Sequence, residues 1–191
     1  MADLAPRSPL AADARDGGPA LAEGRNVTLR ERPRQARCLL RGTDRDALDA
    51  ALAARLRCHL PAAPNRVGSG PHLDCLWLRP DAWLLVDDVR APADLLAEVQ
   101  AAIAGQFATA ADVTDAWIGL ALTGARAAEV LAAGCPLDLD PRAFPAGRSA
   151  RTLLAQVPAL LRPLPDAAGF EIHADASLAR YLWGWFGSQL G

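Results

Sequence analysis

Trp117-Ile118-Gly119-Leu120-Ala121-Leu122-Thr123-Gly124 restates late in the chain what Arg37-Cys38-Leu39-Leu40-Arg41-Gly42 states early. Each is a short apolar run of strand character, stopped by a glycine. After Gly42, Thr43 or Asp44 can cap a helix whose Leu48, Leu52 and Leu56 recur every four residues, closed by Pro61 and Pro64. After Gly124, Arg126 to Ala133 predicts a shorter helix carrying Val130 and Leu131, stopped by Gly134 and Pro136. A loop follows in both copies, Asn65 to Pro71 in one and Pro141 to Gly147 in the other. Leu73 to Leu78 and Ala82 to Val86 then form a hairpin around Arg79-Pro80-Asp81, where Pro presets φ and Asp can bond nearby backbone. In the second copy, Ala150 to Leu164 holds one or two apolar strands broken at Pro158, followed by a strand over Phe170 to His173. A helix ends each copy: Asp94 to Ala104, with Leu95, Val99 and Ile103, and Ser177 to Leu190, with Ser177 as N-cap.

Arg37 to Gly105 and Trp117 to Leu190 therefore predict two βαββα units. The alternation is too irregular for a doubly wound parallel sheet. It indicates an α+β fold, its antiparallel sheets covered by helices on one face. The period of about 75 residues is too long for a solenoid.

The 191 residues suit one domain. The Ala, Pro, Gly, Asp and Arg of residues 1–26 lack periodicity and predict a disordered tail, with one domain over residues 27–191. Twenty basic residues against 22 acidic ones give a net charge of -2, which provides no global field for nucleic acid. All the basic residues are Arg, which excludes Schiff-base and P-loop lysine chemistry. No apolar run approaches the roughly 18 residues of a membrane span. No apolar stretch behind a basic start suggests a signal peptide, so a cytoplasmic location is expected.

Few residues form a chemical constellation. Cys38, Cys58, Cys75 and Cys135 are spaced like no metal site and read as buried thiols, with Cys135 exposable in its Gly-Cys-Pro turn. His59, His72 and His173 have no second ligand at helical or hairpin spacing, so no metal is expected. Gly68-Ser69-Gly70 lacks phosphate-loop spacing and reads as plain loop. Ser149 sits in no nucleophile elbow. Asp138 and Asp140 could share a strand face for acid–base work, but ahead of Pro141 they read as turn residues. No catalytic, cofactor-binding or metal-binding residue is assigned. The final helix is unusual: Tyr181, Trp183, Trp185 and Phe186 crowd less than two turns, which implies core, partner contact or both.

Several segments resemble the gamma subunit of bacterial heterotetrameric sarcosine oxidase. They include Leu60-Pro61-Ala62-Ala63-Pro64-Asn65, the hairpin from Leu76 to Val86, and Asp112-Val113-Thr114-Asp115-Ala116-Trp117. Gly134-Cys135-Pro136-Leu137-Asp138-Leu139, Phe144-Pro145-Ala146-Gly147-Arg148 and the stretch from Ser177 to Trp185 complete the ordered set. More distantly, the chain is similar to the folate-binding fold of aminomethyltransferases, but Thr152 to Pro163 contains no acid where those enzymes carry a pair. The resemblance implies a non-catalytic accessory subunit, with alpha, beta and delta subunits as partners. FAD, FMN, NAD and tetrahydrofolate are then expected on those partners and none on this chain. Such complexes oxidatively demethylate sarcosine to glycine and hydrogen peroxide, with formaldehyde or methylene-tetrahydrofolate as the one-carbon product. The alternatives are a subunit of a related N-methyl amino acid dehydrogenase, or a free-standing folate-dependent aminomethyltransferase. The latter needs a pterin-gripping carboxylate, for which Asp112 with Asp115 and Asp138 with Asp140 are the candidates.

Overall fold

The computed structural model describes residues 8–14, 19–32, 35–166 and 168–190. Its strands are β1 (Leu21–Gly24), β2 (Val27–Glu31), β3 (Ala36–Gly42), β4 (Val67–Ser69), β5 (Leu73–Arg79), β6 (Ala82–Asp87), β7 (Ala108–Asp112), β8 (Trp117–Thr123), β9 (Ala150–Leu154), β10 (Val157–Pro163) and β11 (Gly169–Asp175). The helices are α1 (Arg45–Leu56), α2 (Pro92–Ala102), α3 (Ala127–Ala132) and α4 (Ala179–Leu190). One sheet runs β1-β2-β8-β11-β10-β9 and the other β4-β5-β6-β3-β7, all neighbours antiparallel. The fold is α+β.

Strand alternation divides each sheet into two faces. Leu120, Leu122, Ile172 and Leu161 point from the first sheet into one core with Leu131, Leu182 and Phe186 of α3 and α4. Cys38, Leu40, Trp83 and Leu85 point from the second sheet into another with Leu48, Leu52, Leu95 and Val99 of α1 and α2. Leu76, Leu84, Val86 and Leu160 meet in a third cluster, where the sheets' opposite faces pack together. The order of layers is helices, sheet, sheet, helices.

The duplication is visible in the topology. β4-β5-β6-β3-β7 matches β9-β10-β11-β8-β2, so each half has two strands beyond the three of the expected βαββα unit, an outer one at the far edge, β4 or β9, and a fifth, β7 or β2. The first half draws that strand from after its second helix and the second half from the chain's beginning. Asp44 caps α1 by accepting the Ala47 N–H at 3.1 Å, and Arg57 ends it in the left-handed region at φ 54°. α2 starts at Pro92, not Asp94, because proline suits the first helical position. Ser177 is not the cap of α4. Asp175 accepts from Ser177 N at 2.8 Å and opens a 3-10 turn (Ala176–Leu178) that leads into the helix.

Three other expectations fail on weak local signals. Pro158 does not break the second hairpin. It sits within β10 opposite Leu153, one residue beyond the pairing with β11, where its missing N–H costs no ladder bond. The turn is Ala155-Gln156, both with positive φ, and neither residue is a usual turn former. Gly68-Ser69 belongs to β4, not a loop: a Cβ on Gly68 would lie 1.8 Å from the His59 carbonyl oxygen. Residues 1–7 and 15–18 of the expected tail lie outside the described residues. Others of that stretch are ordered: Leu10 and Ala20 are buried, and β1 pairs with β2 from Leu21↔Arg30 to Gly24↔Val27.

Candidate functional site

Polar side chains gather where the inner faces of the sheets meet beside the apolar cluster. Alternation on β11 sends Glu171 and His173 inward, both fully buried. Arg162 of β10 reaches Glu171 with Nε and Nη2 at 2.6 and 2.5 Å, and Asp74 of β5 with Nη1 at 2.5 Å. Gln35 donates to Glu171 at 3.1 Å and to Asp88 at 2.7 Å, and Arg37 of β3 donates to Gln35 Oε1 at 2.8 Å. Arg32 approaches Glu171 at 3.5 Å and Asp88 at 3.0 Å. Gly119 makes room, because a Cβ there would lie 2.6 Å from Arg37 Nη2 and 2.8 Å from Gln35 Oε1.

Three arginines thus face three carboxylates, and titration follows from that balance. Burial by itself pushes the Glu171 carboxyl up, but the surrounding cations hold it down at about 2. Burial drives His173 down to about 4, against the attraction of Glu171, whose Oε1 lies 3.7 Å from Nε2. The imidazole is therefore neutral at neutral pH, and once it charges on acidification it is the first of the cations that hold Glu171 down, ahead of Arg162 and Arg32. Neither His173 ring nitrogen has a hydrogen-bond partner among the described residues. Desolvation also lowers Arg37 to about 10. The set joins the two sheets, buried at Glu171, His173 and Arg37 and partly open to solvent at Arg32, Asp74 and Asp88.

The four aspartates considered for pterin binding do not converge. Asp112 accepts from Thr114 N at 2.9 Å and Asp138 from Asp140 N at 3.0 Å, as turn carboxylates do. Asp140 takes Arg142 Nε and Nη2, both at 3.0 Å, which lowers its pKa. Asp115 is exposed after β7. All four thiols are buried, Cys135 included, so its turn does not expose it. Desolvation raises Cys38 to about 11 and Cys58 to about 12, and it moves Cys75 in the same direction. His59 Nδ1 lies 3.3 Å from Asp49 on the surface, and no group of three or more potential metal ligands occurs among the described residues.

The sequence did not reveal the Arg162–Glu171–Asp74 cluster. Arg162 and Glu171 face each other in the register of β10 and β11, and Asp74 joins them only when the sheets stack. The one signal was a polar residue at every second position of an otherwise apolar strand, Glu171 and His173 in Phe170 to Ala174.

Two surface hollows flank the second hairpin. One, of about 560 Å³, is lined by Trp117, Arg151, Leu153, Leu160, Asp175 and Leu178. The other, of about 490 Å³, lies between Cys135, Pro136, Gln156, Tyr181 and Trp185. α4 resolves the question of its aromatics. Leu182, Phe186 and Leu190 are buried, Trp183 and Trp185 are half-buried against the same core, and Tyr181 is 52% exposed. Tyr181 donates to the Ala155 carbonyl at 3.1 Å. Trp185 meets Phe186 edge to face at 5.0 Å and occupies space that the missing Cβ of Gly134 leaves open.

The paired sheets with outer helices define a domain of the folate-binding aminomethyltransferase fold. The glycine cleavage system aminomethyltransferase T from Bartonella henselae is similar over 87% of this chain and 47% of that one, with TM-score 0.63 and 20% identity, a likeness of fold alone. A second comparison is nearly coextensive. A chain of heterotetrameric sarcosine oxidase from Corynebacterium sp. U-96, in complex with pyrrole 2-carboxylate, is similar over 97% of this chain and 94% of that one, with TM-score 0.84 and 34% identity. The profile of the sarcosine oxidase, gamma subunit family matches residues 41–189, and the chain belongs to that family. Sarcosine oxidase subunit gamma of Corynebacterium sp. strain U-96 is 39% identical over 72% of the chain, and that of an Arthrobacter species 37% identical over 71%. Each match spans 66% of the relative's length. No described helix is long and apolar enough to cross a membrane.

Proposed function

We propose that this chain is a non-catalytic accessory subunit of a sarcosine oxidase-like complex in the cytoplasm. The complex oxidatively demethylates sarcosine to glycine, with formaldehyde or methylene-tetrahydrofolate and hydrogen peroxide as the other products. Its partners are alpha, beta and delta subunits, which carry FAD, FMN, NAD and tetrahydrofolate. The observation that carries this reading is the nearly end-to-end likeness to one chain of a heterotetrameric sarcosine oxidase. The interior chemistry agrees with it: the strongly perturbed groups Glu171, His173 and Arg37 face one another inside the sandwich. The domain contributes a surface and a rigid frame.

The test is co-expression with the neighbouring reading frames and purification through a tag on this chain. A yellow, flavin-bearing assembly that consumes oxygen with sarcosine is the expected product. A colourless single chain that binds tetrahydrofolate would overturn the proposal and restore the aminomethyltransferase alternative.

A further inference from the structure

The duplication makes each half a template for the other. β7 lies along β3 with Leu40↔Ala110 and Arg41↔Thr109, and β2 lies along β8 with Leu122↔Leu29 and Thr123↔Thr28. Counted back from Gly42 and Gly124, these are the same positions. The free side of β2 is covered by β1. Among the described residues, no strand covers the free side of β7.

That edge is open and chemically ready. Val113 N–H donates to the Arg37 carbonyl at 2.9 Å. The alternation of an antiparallel ladder then turns the N–H groups of Thr109 and Ala111 toward β3, and those of Ala110 and Asp112 outward. Ala108-Thr109-Ala110-Ala111 has no charge and no proline, the residues that usually blunt an edge. Phe107, just before it, is 93% exposed.

We propose that the free edge of β7 is a strand-addition site for another subunit of the complex. That subunit lays an extended segment antiparallel to β7, in the place that β1 holds beside β2. This inference rests on the accessory-subunit reading. The incoming segment packs an apolar side chain on Phe107 and sets a basic residue across from Asp112, the one charge on the strand. A second copy of this chain fits less well. In a self-pairing centred on Ala110, Asp112 falls opposite Ala108 and meets no cation. Five residues span only about 17 Å, and pairing them alone buries far less than the roughly 800 Å² per partner of a stable interface.

Hydrogen exchange at Ala110 and Asp112, in the isolated chain and in the co-purified complex, tests the assignment. Both amides should exchange freely in the isolated chain and at least tenfold more slowly in the complex. Ala110→Pro deletes an outward N–H without touching the β3 ladder and should lower partner recovery tenfold or more. Phe107→Ala, at a side chain in solvent, should lower it severalfold with unchanged melting. Full recovery with both variants would overturn the proposal, as would a complex whose two amides stay unprotected. So would protection already present in the monomeric isolated chain, or protection that tracks self-association. If the wild-type chain captures no other subunit, the accessory-subunit reading itself fails and this inference falls with it.

Discussion

β6 and β11 hold the same place in the two halves, yet they line the interior differently. Registered from the strands they share, Leu84 matches Glu171 and Val86 matches His173. On the neighbouring strands, Leu76 matches Arg162 and Asp74 matches Leu160. At these matched positions one sheet brings Leu84, Val86 and Leu76 with the acid Asp74, and the other Glu171, His173 and Arg162 with Leu160. Leu160 joins the leucines across the interface, and Asp74 meets Arg162. The backbone plan has stayed common to both halves while the faces have become complementary. Asp74 and Leu160 each suit the facing sheet and not their own.

The largest expected effect breaks that complementarity. Glu171→Leu installs the residue of the matched position and leaves Arg162, Arg32 and Gln35 without their shared acceptor. Removing one member of a buried ionic set costs about 3–5 kcal/mol, readable as a fall in the urea midpoint. Adding Arg162→Leu should return at least about 1 kcal/mol of that loss, because neighbours in one network do not add. If the two substitutions prove additive, Arg162 and Glu171 are not coupled and the account of the interface is wrong.

A comparable loss is expected at Trp83, fully buried in the second sheet's helical core. Trp83→Ala should cost about 3–5 kcal/mol, against roughly half that or less for the half-buried Trp185→Ala. Equal losses would mean that α4 is as deeply embedded as β6.

Acid stability separates the halves next. His173 is held at about 4, below its ordinary 6.5, by burial and by Arg37, Arg162 and Arg32, with Glu171 opposing. The unfolded chain takes up that proton first, so stability falls as the pH drops from 6.5 toward 4. A shift of that size amounts to about 3 kcal/mol. Glu171, held at about 2 against an ordinary 4.5, extends the loss below pH 4.5. His173→Val, which copies Val86, should abolish the upper part of this slope and weaken the lower, because the charged imidazole is the first of the cations that hold Glu171 down. Denaturant midpoints measured every half pH unit would show it. An unchanged slope above pH 4.5 would mean that His173 is not the group titrating.

The repeated strand–glycine–helix–hairpin–helix order was legible because strong periods carry it: Leu48, Leu52 and Leu56 on a helix, and the apolar runs on both sides of Pro80-Asp81. β7 was not legible, since Ala-Thr-Ala-Ala-Asp carries little apolar signal and owes its place to pairing with β3. β1 escaped for the same reason, four residues held by β2 and by burial of Ala20 next to them. The charged interior was hidden because the Arg162–Glu171 pair follows only from the register of β10 and β11, and Asp74 joins it only across two sheets. The family resemblance rested on local motifs, which survive without any of these.

The smallest expected effect concerns the two hairpins and has the opposite sign. β5 and β6 turn through Pro80 and Asp81, residues suited to a turn. β9 and β10 turn through Ala155 and Gln156 at φ 48° and 68°, where side chains with a Cβ are strained by about 1–2 kcal/mol per residue. Tyr181 helps to hold that turn by donating to the Ala155 carbonyl, a bond that does not depend on the Ala155 side chain. Replacing the pair by Asn-Gly, through Ala155→Asn and Gln156→Gly, relieves the strain and keeps the bond. The substitution should stabilise the fold by about 1 kcal/mol, a rise of a few degrees in Tm. Tyr181→Phe in the same background should then cost less than in the wild type, because the turn no longer needs an external clamp. If Asn-Gly destabilises instead, the side chains of Ala155 and Gln156 contribute packing beside the Trp185 hollow that outweighs the strain, and this hairpin is fixed by α4 and not by its own turn.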